Sequence, residues 1–148
     1  MRLLDRYPGQ TLICLTVIMP GSVKRNFQSL IIGGAAVKEL INSLGEKLVF
    51  TEVNDAPTGY EAYFIADVEP RMAKDITCRI EDTHPLGRLF DLDVILPGGE
   101  PMGRTTIGSQ PRKCLLCENE ARFCMRNHTH SPAQLQHKID QMVEQYVQ

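Results

Sequence analysis

The stretch GRLFDLDVILPGG, residues 87–99, decides how the chain is read. From Arg88 to Leu96 apolar and polar positions alternate with the period of two that places successive side chains on opposite faces of a strand. Phe90, Leu92, Val94 and Leu96 share one face, while Leu89, Asp91, Asp93 and Ile95 share the other. Pro97-Gly98-Gly99 ends the run, because proline and paired glycines do not continue a ladder. The sequence expectation is an internal strand, in which two carboxylates would need a metal or a basic partner. An edge strand with one face in water is the alternative.

Outward from that strand, other elements follow from the same periodicities. Thr11 to Met19 is aliphatic and β-branched on both faces, which suits a central strand stopped by Pro20-Gly21. Phe27, Leu30, Ile31, Gly34, Val37, Leu40, Ile41 and Leu44 recur at helical spacing, with Gly45 as the stop. Gly33-Gly34 costs roughly 1 kcal/mol per glycine against alanine, so a close packing contact or a break belongs there. Lys47 to Val53 and Tyr60 to Val68 read as strands joined by a hairpin or long loop, and Pro70 to about Glu81 as a helix opened by proline. Residues 100–117 read as irregular and 118–126 as a short helix. Ser131-Pro132-Ala133-Gln134 is a capping box that starts a last helix striped by Leu135, Ile139, Met142, Val143 and Tyr146. The order β-α-β-β-α-β-α implies one α+β domain over residues 1–148, a mixed sheet with flanking helices.

Composition bounds the function. With 148 residues, 43% apolar and 23% charged, the chain is long enough for one core and outside the range of disorder. No apolar run approaches the ~20 residues of a membrane helix, and Asp5, Pro8 and Gly9 interrupt what would be a signal peptide, so a cytoplasmic protein without membrane partners is expected. Between Arg104 and Lys138 six cations, Arg104, Arg112, Lys113, Arg122, Arg126 and Lys138, face only Glu118 and Glu120. Such a segment favours a polyanion or is a solvated basic face. A nucleic-acid module is disfavoured by the net charge of -2 and an aromatic content of only 6%.

Two groups of residues carry the chemistry. Asp91 and Asp93 lie roughly 7 Å apart on one strand face, where their carboxylates can converge on one hard cation. With Gly87-Arg88 before them and Arg104, Arg112 and Lys113 after, these are parts that hold a phosphate chain and its Mg2+. Cys114, Cys117, Cys124 and His128, with His130 as an alternate fourth ligand, have the donor types and short spacings of a Zn2+ site. Buried thiols on a turn and helix are the competing reading, and Cys14 and Cys78 are read as core residues. Lys24, in the turn after the first strand, can meet an anion or lie exposed in solvent.

HPLGRLFDLDV (84–94) and RKCLLCENEARFCMRNHTHS (112–131) closely resemble the two signatures of citrate lyase holo-acyl-carrier-protein synthase, the phosphoribosyl-dephospho-CoA transferase family. PGSVK (20–24), Lys74, and Arg104 followed by Gly108 add to the resemblance, which runs from about Tyr7 to Tyr146. It implies a nucleotidyltransferase-like enzyme that moves 2'-(5''-triphosphoribosyl)-3'-dephospho-CoA onto a serine of the acyl carrier (gamma) subunit of citrate lyase, releasing diphosphate. Under that resemblance Asp91 and Asp93 are catalytic ligands of Mg2+, and Lys24, Gly87, Arg88, Arg104 and Arg112 bind substrate. The family's longer N-terminal helix is reduced here to Met1 to Tyr7, so the start is expected to be truncated, and Ile18 stands where an asparagine is common. The rival expectation is a non-catalytic zinc-binding adaptor or a regulatory partner of citrate lyase.

Overall fold

The computed structural model describes residues 2–148. Four strands, β1 (Thr11–Val17), β2 (Leu48–Ala56), β3 (Gly59–Ala66) and β4 (Phe90–Ile95), form one sheet in the order β2-β3-β1-β4. Among the described residues five helices accompany them: α1 (Arg2–Arg6), α2 (Phe27–Leu44), α3 (Pro70–Thr83), α4 (Ala121–Asn127) and α5 (Pro132–Val147). Strand β1 is central, as its two-sided apolar sequence requires. The expected mixed sheet is corrected, because all three pairings are antiparallel. The helix α2 does return the chain to run parallel with β1, but the β2-β3 hairpin then folds β3 into the slot between them. The same step makes β4 pair with the far side of β1, giving the split β-α-β arrangement.

The core lies between the sheet and α2, α3 and α5. Ile13, Leu15, Phe64, Leu92 and Val94 supply the sheet side, and Ile32, Leu40, Ala73, Ile80 and Ile139 the helix side. Helix α2 begins with a capping box between Asn26 and Ser29 and stays unbroken through Gly33-Gly34. The reason is packing: a Cβ at Gly33 would fall inside the ring of Tyr60, whereas Gly34 has open space. Helix α5 starts with the expected Ser131–Gln134 capping box and docks on α2 through Gln28 and Gln136, which both donate to Asp140.

Strand β4 is an edge strand, which corrects the expectation that it is internal. Its outer edge is nevertheless closed, in the manner by which natural sheets protect an edge. The Leu92 N–H donates to Glu81 Oε2 at 2.9 Å, Arg112 Nη1 donates to the Phe90 carbonyl at 2.7 Å, and the Met102 N–H donates to the Val94 carbonyl at 2.8 Å.

Candidate functional site

Alternation along β4 is as read: Phe90, Leu92 and Val94 are buried, while Asp91 and Asp93 are half-buried on the opposite face. Register extends that face into two cross-strand rows, Asp91 with Thr16 and Glu61, and Asp93 with Cys14 and Tyr63. Asp91 receives only a long hydrogen bond from Thr16 at 3.5 Å. Burial, and then the negative charge of Asp91, push the Asp93 carboxyl above its ordinary value, with Lys74 and Arg112 pulling it back. The pair is thus a carboxylate site short of positive charge, and the donor set fits a hard cation. Cys14, expected in the core, is only half-buried here, and burial followed by Asp93 raises its thiol to about 11. Tyr63 donates to Glu61 at 2.9 Å and is raised to about 12, first by that bond.

The cations expected near the carboxylates divide into groups. Arg88 and Arg112 join Asp91 in lining a groove of about 950 Å³ at the end of β1, whose apolar wall includes Ile18, Leu115 and Leu135. Arg112 is fixed by the carbonyls of Phe90 and Gly87 at 2.7 and 2.9 Å, and lies 3.5 Å from Glu81. Arg88 donates to the carbonyls of Lys113 and Cys114. Arg104 sits in an adjoining hollow of about 380 Å³ and is held by Glu81 at 2.6 Å and Asp82 at 3.1 Å. Lys24 folds onto its own turn and donates to the Met19 carbonyl at 2.5 Å. Gly87 is buried, and a Cβ there would collide with the carbonyls of Ile80 and Glu81, so its place is dictated by packing.

The cysteine cluster is assembled, with one correction. Ligand atoms of Cys114, Cys117, Cys124 and His130 all lie within 4.8 Å of one another. The imidazole in the cluster is therefore that of His130 and not His128. Helix α4 ends at Asn127, and His128 takes the left-handed cap with φ of 49° and an exposed side chain. Two further residues bring the chain back to the thiols. Burial opposes ionisation of Cys114, yet the N–H groups of Leu116 and Cys117 and the neighbouring thiols hold it below its ordinary value. The Cys117 and Cys124 sulfurs are 3.4 Å apart, and all five cysteines are free thiols.

A family model described as apo-citrate lyase phosphoribosyl-dephospho-CoA transferase matches residues 1–146. The chain belongs to that family. It is 32% identical to the probable apo-citrate lyase phosphoribosyl-dephospho-CoA transferase of Streptococcus pyogenes, over 99% of this chain and 78% of the relative. It is 38% identical to the Vibrio cholerae protein of the same description, over 91% of this chain and 78% of the relative. It is also 34% identical to Protein CitXG of Haemophilus influenzae, covering 98% of this chain but only 32% of that longer protein. Within this transferase family chain, Asp91, Arg88 and Arg112 line one groove, and Cys114 and Cys124 line the same groove. Among the described residues no helix is long and apolar enough to cross a membrane.

Proposed function

We propose that this chain transfers the phosphoribosyl-dephospho-CoA group to the acyl carrier subunit of apo-citrate lyase, working in the cytoplasm and taking 2'-(5''-triphosphoribosyl)-3'-dephospho-CoA as donor. Family membership over residues 1–146 supports the reaction. The observation that carries the site is the meeting of the Asp91 carboxylate with Arg88 and Arg112 at a groove of about 950 Å³, a volume suited to a nucleotide-sized ligand. In this nucleotidyltransferase-like reading a serine hydroxyl of the carrier attacks the phosphorus nearest the ribosyl 5'' oxygen. A phosphodiester forms and diphosphate leaves.

Asp91 and Asp93 are the residues that would hold Mg2+, which when bound neutralises the triphosphate and the leaving diphosphate. Arg88 and Arg112 bring guanidinium charge to the groove wall, where it would attract phosphate oxygens. Arg104, tied to Glu81, acts beside them by holding Arg112's partner in place, while Gly87 and Lys24 shape the two turns that border the groove. The Cys114, Cys117, Cys124 and His130 set is read as a Zn2+ centre.

Incubating the chain with apo carrier, donor and Mg2+ and weighing the carrier tests this. The expected result is the added mass of the prosthetic group with the parent chain and none with Asp91→Ala or Asp93→Ala, each retaining its circular dichroism spectrum. Normal transfer by both variants would remove the carboxylates from the site. A zinc-binding adaptor without catalysis, which the Cys3His set would also suit, predicts an unmodified carrier throughout.

A further inference from the structure

Between Gly103 and Lys138 the buried residues are Cys114 and Cys124, and every other side chain in this span is at least partly exposed. Ile107 and Leu115 reach the core from this span but are only partly buried, so packing alone holds a segment of that length weakly. The thiols that are buried belong to the four-donor cluster with Cys117 and His130. His130 Nε2 is buried without a hydrogen-bond partner, as a metal ligand would be before its metal is counted. Donors around tetrahedral Zn2+ stand roughly 3.5–3.8 Å apart, given Zn–S of about 2.3 Å, so the observed cluster closes on an ion with little movement. Four protein donors fill the tetrahedron and leave no position for substrate or water, the pattern of a structural centre.

The connections of the cluster show what such a centre would organise. Cys114 leads out of the Lys113–Glu120 bridge, its N–H donating to the Asn119 carbonyl at 2.7 Å. Cys124 lies in α4, and His130 immediately precedes the Ser131 cap of α5. The backbone of Lys113 and Cys114 accepts from Arg88, while Arg112 reaches back to the carbonyls of Gly87 and Phe90. Two arginines thereby stitch the cysteine loop to the entrance of β4, one in each direction.

We propose that Zn2+ held by Cys114, Cys117, Cys124 and His130 is a closed structural centre that braces Arg88 through the backbone of its ligand Cys114, so that the metal sets the phosphate-facing wall of the groove while taking no part in the transfer. The brace rests on the reading of the groove as the donor site; the metal centre does not.

Metal content, cobalt substitution and binding of dephospho-CoA to the full chain test it. One zinc per chain is expected. Retention against a chelator falls by about tenfold or more in His130→Ala and is unchanged in His128→Ala. Cobalt-substituted protein shows the intense visible bands of a tetrahedral thiolate site, and dephospho-CoA leaves those bands unmoved. Arg88→Ala keeps its zinc but binds dephospho-CoA about tenfold or more weakly, as does the metal-stripped chain, which is the worth of a charge-assisted hydrogen bond. Absence of zinc, equal retention by the two histidine variants, or cobalt bands that shift with dephospho-CoA overturns the closed centre. A zinc-loaded chain that does not bind dephospho-CoA overturns the donor groove and the brace with it, and a zinc-free chain that still modifies the carrier overturns the centre while sparing the transferase reading.

Discussion

At the scale of single residues, the titration of Asp93 gives the stability of the fold a sign that can be tested. Its carboxyl is raised above the ordinary value of 3.8 by burial and then by Asp91. Folded protein therefore holds that proton to higher pH than unfolded protein does, and stability falls as pH rises through the window from 3.8 to the raised value. Below the window the contribution is fully present; above it the charged pair strains the fold. Asp93→Asn should accordingly be more stable than the parent near neutral pH without divalent metal, and Mg2+ should raise the melting temperature of the parent but not of the variant. Equal Mg2+ responses in a thermal melt would argue against Asp93 as a ligand. Glu81 is instead fully partnered, since its buried carboxylate accepts from Arg104, Arg112 and the Leu92 N–H together. Glu81→Ala leaves the Leu92 N–H unpaired and removes the buried charge that balances Arg104 and Arg112, which keep Asp82 and the Phe90 and Gly87 carbonyls, and should cost about 3–5 kcal/mol in urea unfolding. Sequence alone displays Asp91 and Asp93, because a period of two needs no partner to be seen. It cannot single out Glu81 from other acidic residues, since its contact with Arg112 spans 31 positions. The fourth donor of the cysteine cluster was open for a similar reason: His128 and His130 differ only by the left-handed turn at the end of α4.

At the scale of elements, local signals settle what each segment becomes and leave its neighbours undetermined. Helix α2 forms up to its expected stop at Gly45, but it buries Ile32, Ala36 and Leu40 while Phe27, Leu30 and Ile41 of the expected stripe are exposed, and the α5 capping box forms as expected. The pairing of β3 between β1 and β2 has no such local mark, because hydrophobic alternation is the same whichever strand lies alongside. Thus antiparallel pairing throughout and the edge position of β4 emerge only when the hairpin folds in. The glycine pair in α2 separates local from tertiary cost. Gly34→Ala adds a methyl where nothing lies within 4 Å and should stabilise by about 0.5–1 kcal/mol through helix propensity. Gly33→Ala carries the same helical gain but drives its Cβ into the ring of buried Tyr60, and should lose about 1–3 kcal/mol net. Opposite shifts of the urea midpoint at adjacent positions would establish that Gly33 is present for packing; equal gains at both would refute the Tyr60 contact.

At the scale of the whole molecule, the chain divides into a sheet-and-helix body that holds itself together by apolar burial and a basic limb, residues 103–131, that does not. The body contains the fully buried Leu12, Ile13, Leu15, Phe64, Phe90 and Leu92, and its amides are locked in the β1-β3 and β1-β4 ladders. The limb is fastened by the thiol and imidazole cluster, by Arg88 and Arg112, by Arg104 on Glu81 and Asp82 at its start, and by an exposed Lys113–Glu118 pair that is worth little in water. Such unequal support implies separate opening free energies for the two parts. Chelation of metal should therefore speed amide exchange at Cys114 and Ala121, whose N–H groups donate to the Asn119 and Arg112 carbonyls within the limb. Amides of β1 and β3 should keep their protection. Because Arg88 and Arg112 face the groove from this junction, loss of exchange protection in the limb should track loss of dephospho-CoA binding across a chelator titration. Hydrogen exchange read by mass spectrometry decides the matter: simultaneous opening of limb and sheet would make the metal a support of the entire fold, while opening of the limb alone makes it the support of the donor wall.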